Sequence, residues 1–277
     1  MELIPSPIKL AALERGLPVL QPEDVNANEA IEHLRSLAPD VLVTAAYGQI
    51  LSAELLGIAK HGGINLHGSI LPSYRGASPV ARAIQDGLSE TGVTVIRMTP
   101  RIDAGGMMAV GKTAIDPDET AGELEDRLAA LGAPLILDSL ASIESGSVTI
   151  LPQAKTRVTK APKLRKEEGQ IDWSKSAKSI HDHVRAMQPW PIASTLWHSS
   201  QPGKPPQRII VHKTQITEGK GLAGTVIEVD KSKIVVAAGQ GAISLVTVQV
   251  PGKKPMTAAE FLRGHRVNLG DRMGEST

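Results

Sequence analysis

The stretch that decides the fold is "GGINLHGSILPSYRGASPVARA", residues 62–83. It opens on "GGINLHG", a short apolar run read as a strand, and closes on the start of "SPVARAIQDGL", read as a helix. Between them lies a loop that carries Gly, Pro and Arg. Side chains alternate across a strand, so Asn65 and His67 point to the same side, at the strand's carboxyl end. Open α/β sheets bind ligands beyond that end. Taken singly, His67 reads as a satisfied structural histidine and Asn65 as a turn cap. Joined on one face at a sheet edge, they form a pair of donors for a developing oxyanion.

The segments on either side fit the same architecture. "SPIKLAALERG" opens with Ser6 as N-cap and Pro7 at the first helical position, and closes on Gly16. "LPVLQP" (17–22) is a strand candidate, "NANEAIEHLRSL" an amphipathic helix, and "DVLVTAAYG" an apolar strand of the kind buried on both faces. Beyond the opening stretch come two further strands, "TGVTVIRM" and "GGMMAVGKTAI". The long helix "TAGELEDRLAALGAPLILDSLASIESG" follows, with Thr120 and Glu123 in a capping-box pattern. Such alternation argues a doubly wound, parallel-rich α/β sheet. That reading leaves the sheet without its first strand, because the sequence starts with a helix, whereas open α/β domains usually start with a strand.

The character changes after residue 145. "KTRVTKAPKLRK", residues 155–166, holds six basic residues and no acidic one, and has neither helical nor strand period. A short helix, "SAKSIHDHVRAM", precedes four Val/Ile-rich strands, "QRIIVHK", "AGTVIEVD", "SKIVVAAG" and "AISLVTVQV", with the spacing of a small OB-like β-barrel. "TAAEFLRGHR" closes the chain as a helix capped by Thr257 and Glu260. The expected division is therefore a catalytic domain over 1–145, a basic linker over 146–164 and a barrel domain over 165–277.

Composition narrows the chemistry. The absence of cysteine excludes disulfides, thiol nucleophiles and zinc–thiolate sites. No run approaches the roughly 18 apolar residues of a membrane span, and no signal-peptide layout opens the chain, so a cytoplasmic protein is expected. The net charge of +1 conceals a split. Residues 1–150 carry ten Lys and Arg against nineteen Asp and Glu, and residues 151–277 carry twenty against ten. A basic second half facing a polyanion follows from that asymmetry, beside the plainer reading of a solubilising surface. The tryptophans Trp173, Trp190 and Trp197 read as packing anchors rather than base-stacking platforms. His181 and His183, two apart on a helix, do not share a face and make a poor metal pair. "GGMMAVG" lacks the Lys-Ser/Thr end of a phosphate loop. Nothing in the sequence asks for a metal.

The third polar element is "RIDAGGMM", where Asp103 precedes a flexible Ala-Gly-Gly turn. Alone it is an ordinary turn residue. Beside the Asn65–His67 strand it would pair with His67, because a carboxylate favours imidazolium, which then donates to an oxyanion. Asn, His and Asp without a Ser or Cys describe acyl transfer in which the substrate supplies the nucleophile.

"INLHGSILPSYRGASP" followed by "ETGVTVIRMTPRIDAGGMM" resembles the folate-dependent formyltransferases. Their shared pattern is Asn-x-His-Gly-Ser-x-Leu-Pro, an Arg-Gly, then Gly-Val-Thr and Asp-x-Gly. "KLRKEEGQIDWSKSA", "VRAMQPWPIA" and "PGKKPMTAAEFL" are similar to the bacterial methionyl-tRNA formyltransferases within that group. The resemblance implies a Rossmann-like formyltransferase domain and an OB-like barrel. It implies a transferase that moves a formyl group from 10-formyltetrahydrofolate to the amino group of methionine on initiator methionyl-tRNA, acting as a monomer. It carries the catalytic roles to Asn65, His67 and Asp103, and folate contact to Ser69, Ile70, Leu71 and Pro72. With it, the charge split reads as a surface for tRNA phosphates, led by Lys155, Arg157, Lys160, Lys163, Arg165, Lys166, Lys253 and Lys254.

The chain also departs from the pattern. Arg97 stands where the family has an apolar or aromatic residue. The family's opening strand, Gly-rich turn, second strand and basic loop have no counterpart, which implies that the chain as given is poorly stable or inactive by itself. Two rival readings stay open: another formyltransferase or a formyltetrahydrofolate hydrolase using the same trio, and a non-catalytic tRNA-binding protein.

Overall fold

The computed structural model describes residues 5–274, and its first part is an α/β unit. Helix α1 (Pro7–Glu14) starts where Ser6 accepts the Lys9 amide and Pro7 supplies a preset φ. Helix α2 (Asn28–Ser36), strand β1 (Leu42–Ala45), helix α3 (Ala53–Leu56), strand β2 (Gly63–His67) and helix α4 (Pro79–Gln85) follow. Strands β3 (Glu90–Arg97) and β4 (Met107–Ala114) lead to the long helix α5 (Ala121–Glu144), whose Thr120–Glu123 capping box is formed.

The sheet runs β1-β2-β3-β4. Strand β3 is central, and its residues 91–96 are buried without interruption. Only the β1–β2 pair is parallel; β2–β3 and β3–β4 are antiparallel. The sheet is thus mixed rather than parallel-rich. The loop and α4 leave β2 at His67 and re-enter beside it, with His67 opposite Thr94 in β3. A connection that begins and ends at one end of a sheet reverses the chain instead of crossing over.

Two expected strands are corrected. Residues 17–22 form none, since Pro18 and Pro22 lack amide donors. The apolar run after Asp40 gives only the four residues of β1, which ends where Ala46 takes φ +49 and Gly48 φ +82. It is an edge strand of the described sheet, and Val43 is 47% exposed, so it is not buried on both faces.

The second part begins after helix α6 (Ala177–Ala186), as an antiparallel sheet. Its strands are β5 (Ser194–His198), β6 (Gln207–Thr217), β7 (Val226–Val229), β8 (Ile234–Ala237), β9 (Ala242–Gln249), β10 (Met256–Thr257) and, after helix α7 (Ala258–Gly264), β11 (Arg272–Met273). The order β11-β5-β6-β9-β8-β7 nearly closes into a barrel, because Thr225 and Arg272 bridge the two outer strands. Strands β5 and β11 fall outside the Val/Ile-rich runs of the sequence.

One contiguous core joins the two parts. It runs from Val80, Ile84 and Leu124 to Ile180, Val184, Ile209 and Phe261. Helix α6 lies at the junction, where buried Asp182 holds Arg185 at 2.8 Å and Lys178 at 2.6 Å. Arg185 also donates from Nη1 to the Asp116 and Glu119 carbonyls, which ties the buried pair across the junction. Trp173 and Trp197 are buried anchors whose indole N–H groups reach Thr195 and Asp271. Trp190 is not an anchor: it sits among prolines on the surface, 52% exposed.

Candidate active site

Asn65 and His67 lie on one face of β2, as alternation requires, and Asp103 lies in the turn between β3 and β4. The antiparallel return brings the three together. The Asp103 carboxylate Oδ2 stands 3.5 Å from His67 Nδ1, with side chains only 13% and 6% exposed. His67 Nε2 lies 2.9 Å from the Tyr74 carbonyl. A carbonyl can only accept, so Nε2 carries a proton and donates, and Nδ1 is the nitrogen turned to Asp103. The 3.5 Å gap suits an ion pair but exceeds a charge-assisted hydrogen bond. A proton on Nδ1 is therefore not committed to the carboxylate alone.

Two supporting contacts escape the sequence reading. The Thr44 hydroxyl, directly across from Asn65 in β1, donates to Asn65 Oδ1 at 2.8 Å. With its oxygen engaged, the amide has its Nδ2 hydrogens left as donors. The Gly76 amide donates to Asp103 Oδ2 at 2.9 Å, which fixes the carboxylate beside the imidazole. Asp103 sits at φ +48, a backbone region that a non-glycine residue adopts at a cost and that surrounding contacts must hold. Gly105 in the same turn has no room for a Cβ, which would lie 1.6 Å from the Arg97 carbonyl. Arg97 itself ends β3 with an exposed side chain.

The loop after His67 is packed inward. Ser69 is fully buried and donates to the Ser73 carbonyl, while Leu71 is 3% exposed. Buried Thr94 ties this loop to β3 by donating to the Ser69 carbonyl and accepting the Leu71 amide. Of the four candidate folate-contacting residues, only Ile70 and Pro72 keep partly exposed side chains. The Tyr74 hydroxyl donates to Asp86 at 2.8 Å, and burial together with that carboxylate pushes its pKa up to about 12.

The basic segment is docked rather than slack. Leu151 pairs with Met107, and residues 159–161 run along the loop after β2. Thr159 accepts the Tyr74 amide on its hydroxyl and the Arg75 amide on its carbonyl. A Cβ at Gly76 would fall 2.5 Å from the Ala161 carbonyl, so only glycine admits this approach. Lys155, Arg157, Lys160, Lys163, Arg165 and Lys166 are all exposed, as are Lys253 and Lys254 at the β9–β10 turn. Among the described residues only Arg165 of these eight forms an ion pair, at 3.5 Å to Glu168. His181 is engaged by Thr214 and the Pro117 carbonyl, and His183 by Gln85. Among the described residues no cluster of three or more His, Asp or Glu is arranged to hold a metal ion, and no helix is long and apolar enough to cross a membrane.

Comparison with known proteins gives this geometry its family. Residues 3–140 match the formyl transferase family profile, and residues 163–266 match that of the formyl transferase C-terminal domain. A methionyl-tRNA formyltransferase of Magnetococcus marinus is 44% identical over 275 residues, covering 99% of this chain and 86% of the relative. One of Chlamydia pneumoniae is 42% identical over 267 residues, 95% of this chain and 83% of the relative. Among solved structures, HypX from Aquifex aeolicus in complex with tetrahydrofolic acid superimposes with a TM-score of 0.62 at 19% identity, covering 86% of this chain and 41% of that one. The sugar 3N-formyltransferase WlaRD does so with 0.64 at 18%, covering 90% and 82%; at such identity these two share the fold. With both halves matched in order and these relatives aligned over 95–99% of this chain, the chain belongs to the methionyl-tRNA formyltransferase family of enzymes.

Proposed function

We propose that this enzyme moves a formyl group from 10-formyltetrahydrofolate to the amino group of methionine on initiator tRNA. The observation that supports this most is the placement of His67: one ring nitrogen is held on the Tyr74 carbonyl, the other faces the Asp103 carboxylate. The free amine attacks the formyl carbon, and the carbonyl π electrons move onto oxygen. Asn65 Nδ2 and the Nδ1 proton of imidazolium His67 receive that oxyanion, and Asp103 stabilises the imidazolium charge. An oxyanion donor of this kind is typically worth about 3–4 kcal/mol in turnover. Asp103 relays the proton that the amine must lose. On collapse the carbon–N10 bond breaks, N10 takes a proton, and tetrahydrofolate leaves. Ile70 and Pro72 offer apolar contact to the folate, with Ser69 and Leu71 holding the loop from beneath. The exposed, mostly unpaired cations at 155–166 and at Lys253 and Lys254 lie along tRNA phosphates.

The test is a direct one. Purified protein is supplied with 10-formyltetrahydrofolate and, in separate reactions, charged initiator methionyl-tRNA, a nucleotide-linked amino sugar, or water alone. Formylation of the charged tRNA is expected. Formylation of the sugar, or release of formate without an acceptor, would replace this reading with one of its rivals.

A further inference from the structure

Gln153 lies two residues before the basic turn at 155–157, fifty positions from Asp103. Its amide uses every hydrogen-bonding position it has. The oxygen accepts from Arg75 Nε at 3.0 Å and Nη2 at 2.6 Å. The nitrogen donates to the Asp103 carbonyl at 2.8 Å and the Gly105 carbonyl at 2.7 Å. A glutamine oxygen has two lone pairs and its nitrogen two hydrogens, so all four are used. The partners also fix which end is which: a guanidinium only donates and a carbonyl only accepts.

We infer that Gln153 is a positioning residue for Asp103, holding its turn in the left-handed conformation that aims the carboxylate at His67. The inference rests on the role given to Asp103 above. Three features converge on it. The Asp103 backbone at φ +48 needs external support, and Gln153 grips it directly and at Gly105. Arg75, fixed on Gln153, immediately precedes Gly76, whose amide bonds the carboxylate oxygen that faces His67. No other side chain of this length offers two acceptor and two donor positions from one planar group. Glutamate lacks the donors, and lysine or arginine the acceptors.

The test uses the full chain with Gln153→Met and Gln153→Glu, read against Asp103→Asn. Gln153→Met keeps length and volume and removes all four bonds. Gln153→Glu keeps acceptors for Arg75 and turns oxygens on the two carbonyls. Both are expected to lower kcat by about 10–100-fold with KM for either substrate nearly unchanged, as loss of alignment does. Gln153→Met should add little to Asp103→Asn, since residues acting as a unit are non-additive. Amide hydrogen exchange supplies a readout that needs no turnover: the Gly76 amide, bonded to Asp103 in the wild type, should exchange about tenfold faster in both variants. Wild-type kcat in Gln153→Glu, full additivity with Asp103→Asn, or unchanged protection of Gly76 would each overturn the inference. Failure of the wild type to transfer formyl groups would overturn the reading of the site instead, and the exchange measurement would still decide the tether.

Discussion

Replacing Asp103 by asparagine is the perturbation that most directly probes the chemistry. The two side chains have the same shape, so the turn and its φ of +48 are kept. The introduced amide oxygen can still accept from the Gly76 amide, now 2.9 Å from Oδ2. That oxygen is also the one that faces His67 Nδ1 at 3.5 Å, so the substitution keeps both contacts and removes only the negative charge. Without that charge the imidazolium, which offers its Nδ1 proton to the oxyanion, loses the partner that favours it.

The size of the effect follows from the separation. Opposite unit charges 3.5 Å apart attract by about 5 kcal/mol at an effective dielectric of about 20, the value suited to protein sites. That corresponds to somewhat more than three decades in rate at about 1.4 kcal/mol each. Residual donation by Asn65 and binding energy are untouched, so the expected fall in kcat is about 10²–10³-fold. Formyl transfer to charged initiator tRNA under saturating substrates measures it, with thermal unfolding run in parallel to show an intact fold. A variant within threefold of the wild type, equally stable, would refute the ion-pair argument. So would a variant whose defect fell wholly in KM.

Three further outcomes are expected. Thr44→Val removes the donor to Asn65 while keeping its volume, and should lower kcat about fivefold for one neutral hydrogen bond, with Thr44→Ser restoring it; equal rates in all three would dismiss the contact. His183 is held below its ordinary 6.5, chiefly by burial, against the pull of Glu168 and Asp172 and with Arg82 adding to the depression. A depressed pKa means that the unfolded chain takes up the proton first. The contribution is therefore complete above about pH 6.5 and declines as pH falls below it, so in denaturant titrations the wild type should lose ground to His183→Asn on acidification. Removing Lys155, Arg157 and Lys160 together should flatten the plot of log tRNA affinity against log salt by about 0.7–0.9 for each phosphate left without its cation, whereas an unchanged slope would remove the segment from the tRNA surface.

The legible part of this site is the part written within one strand. Alternation alone puts Asn65 and His67 on a common face, and the break into Gly and Pro puts them at its end. Asp103 is legible only as a turn residue, because its meeting with His67 depends on β3 returning antiparallel, which hydrophobic pattern does not encode. A buried central strand reads as an apolar run whichever way its neighbours point, so the mixed sheet is not visible either. Thr44 and Gln153 are silent for a related reason. Thr44 is an ordinary strand residue until register sets it opposite Asn65. Gln153 is one polar residue ahead of a basic run, and its hydrogen-bond partners are all remote in sequence. Trp190 misleads because a large aromatic among prolines carries no sign of which way the chain turns.

The placement of the trio also explains why the basic segment is docked. The short stretch 74–76 holds two of the three proposed catalytic groups through its backbone: the Tyr74 carbonyl fixes His67, and the Gly76 amide fixes Asp103. Tyr74 sits at φ +60 and Gly76 at φ +125, so neither is held by regular secondary structure. What holds them is the segment beyond α5: Thr159 takes the Tyr74 and Arg75 amides, the Ala161 amide donates to the Arg75 carbonyl, and Gln153 grips the Arg75 side chain. A chain cut after residue 145 would keep Asn65, His67 and Asp103 but lose the bonds from Gln153, Thr159 and Ala161 that hold stretch 74–76 and the Asp103 turn in place. The proposed catalytic geometry therefore depends on residues that precede α5 and on residues that follow it.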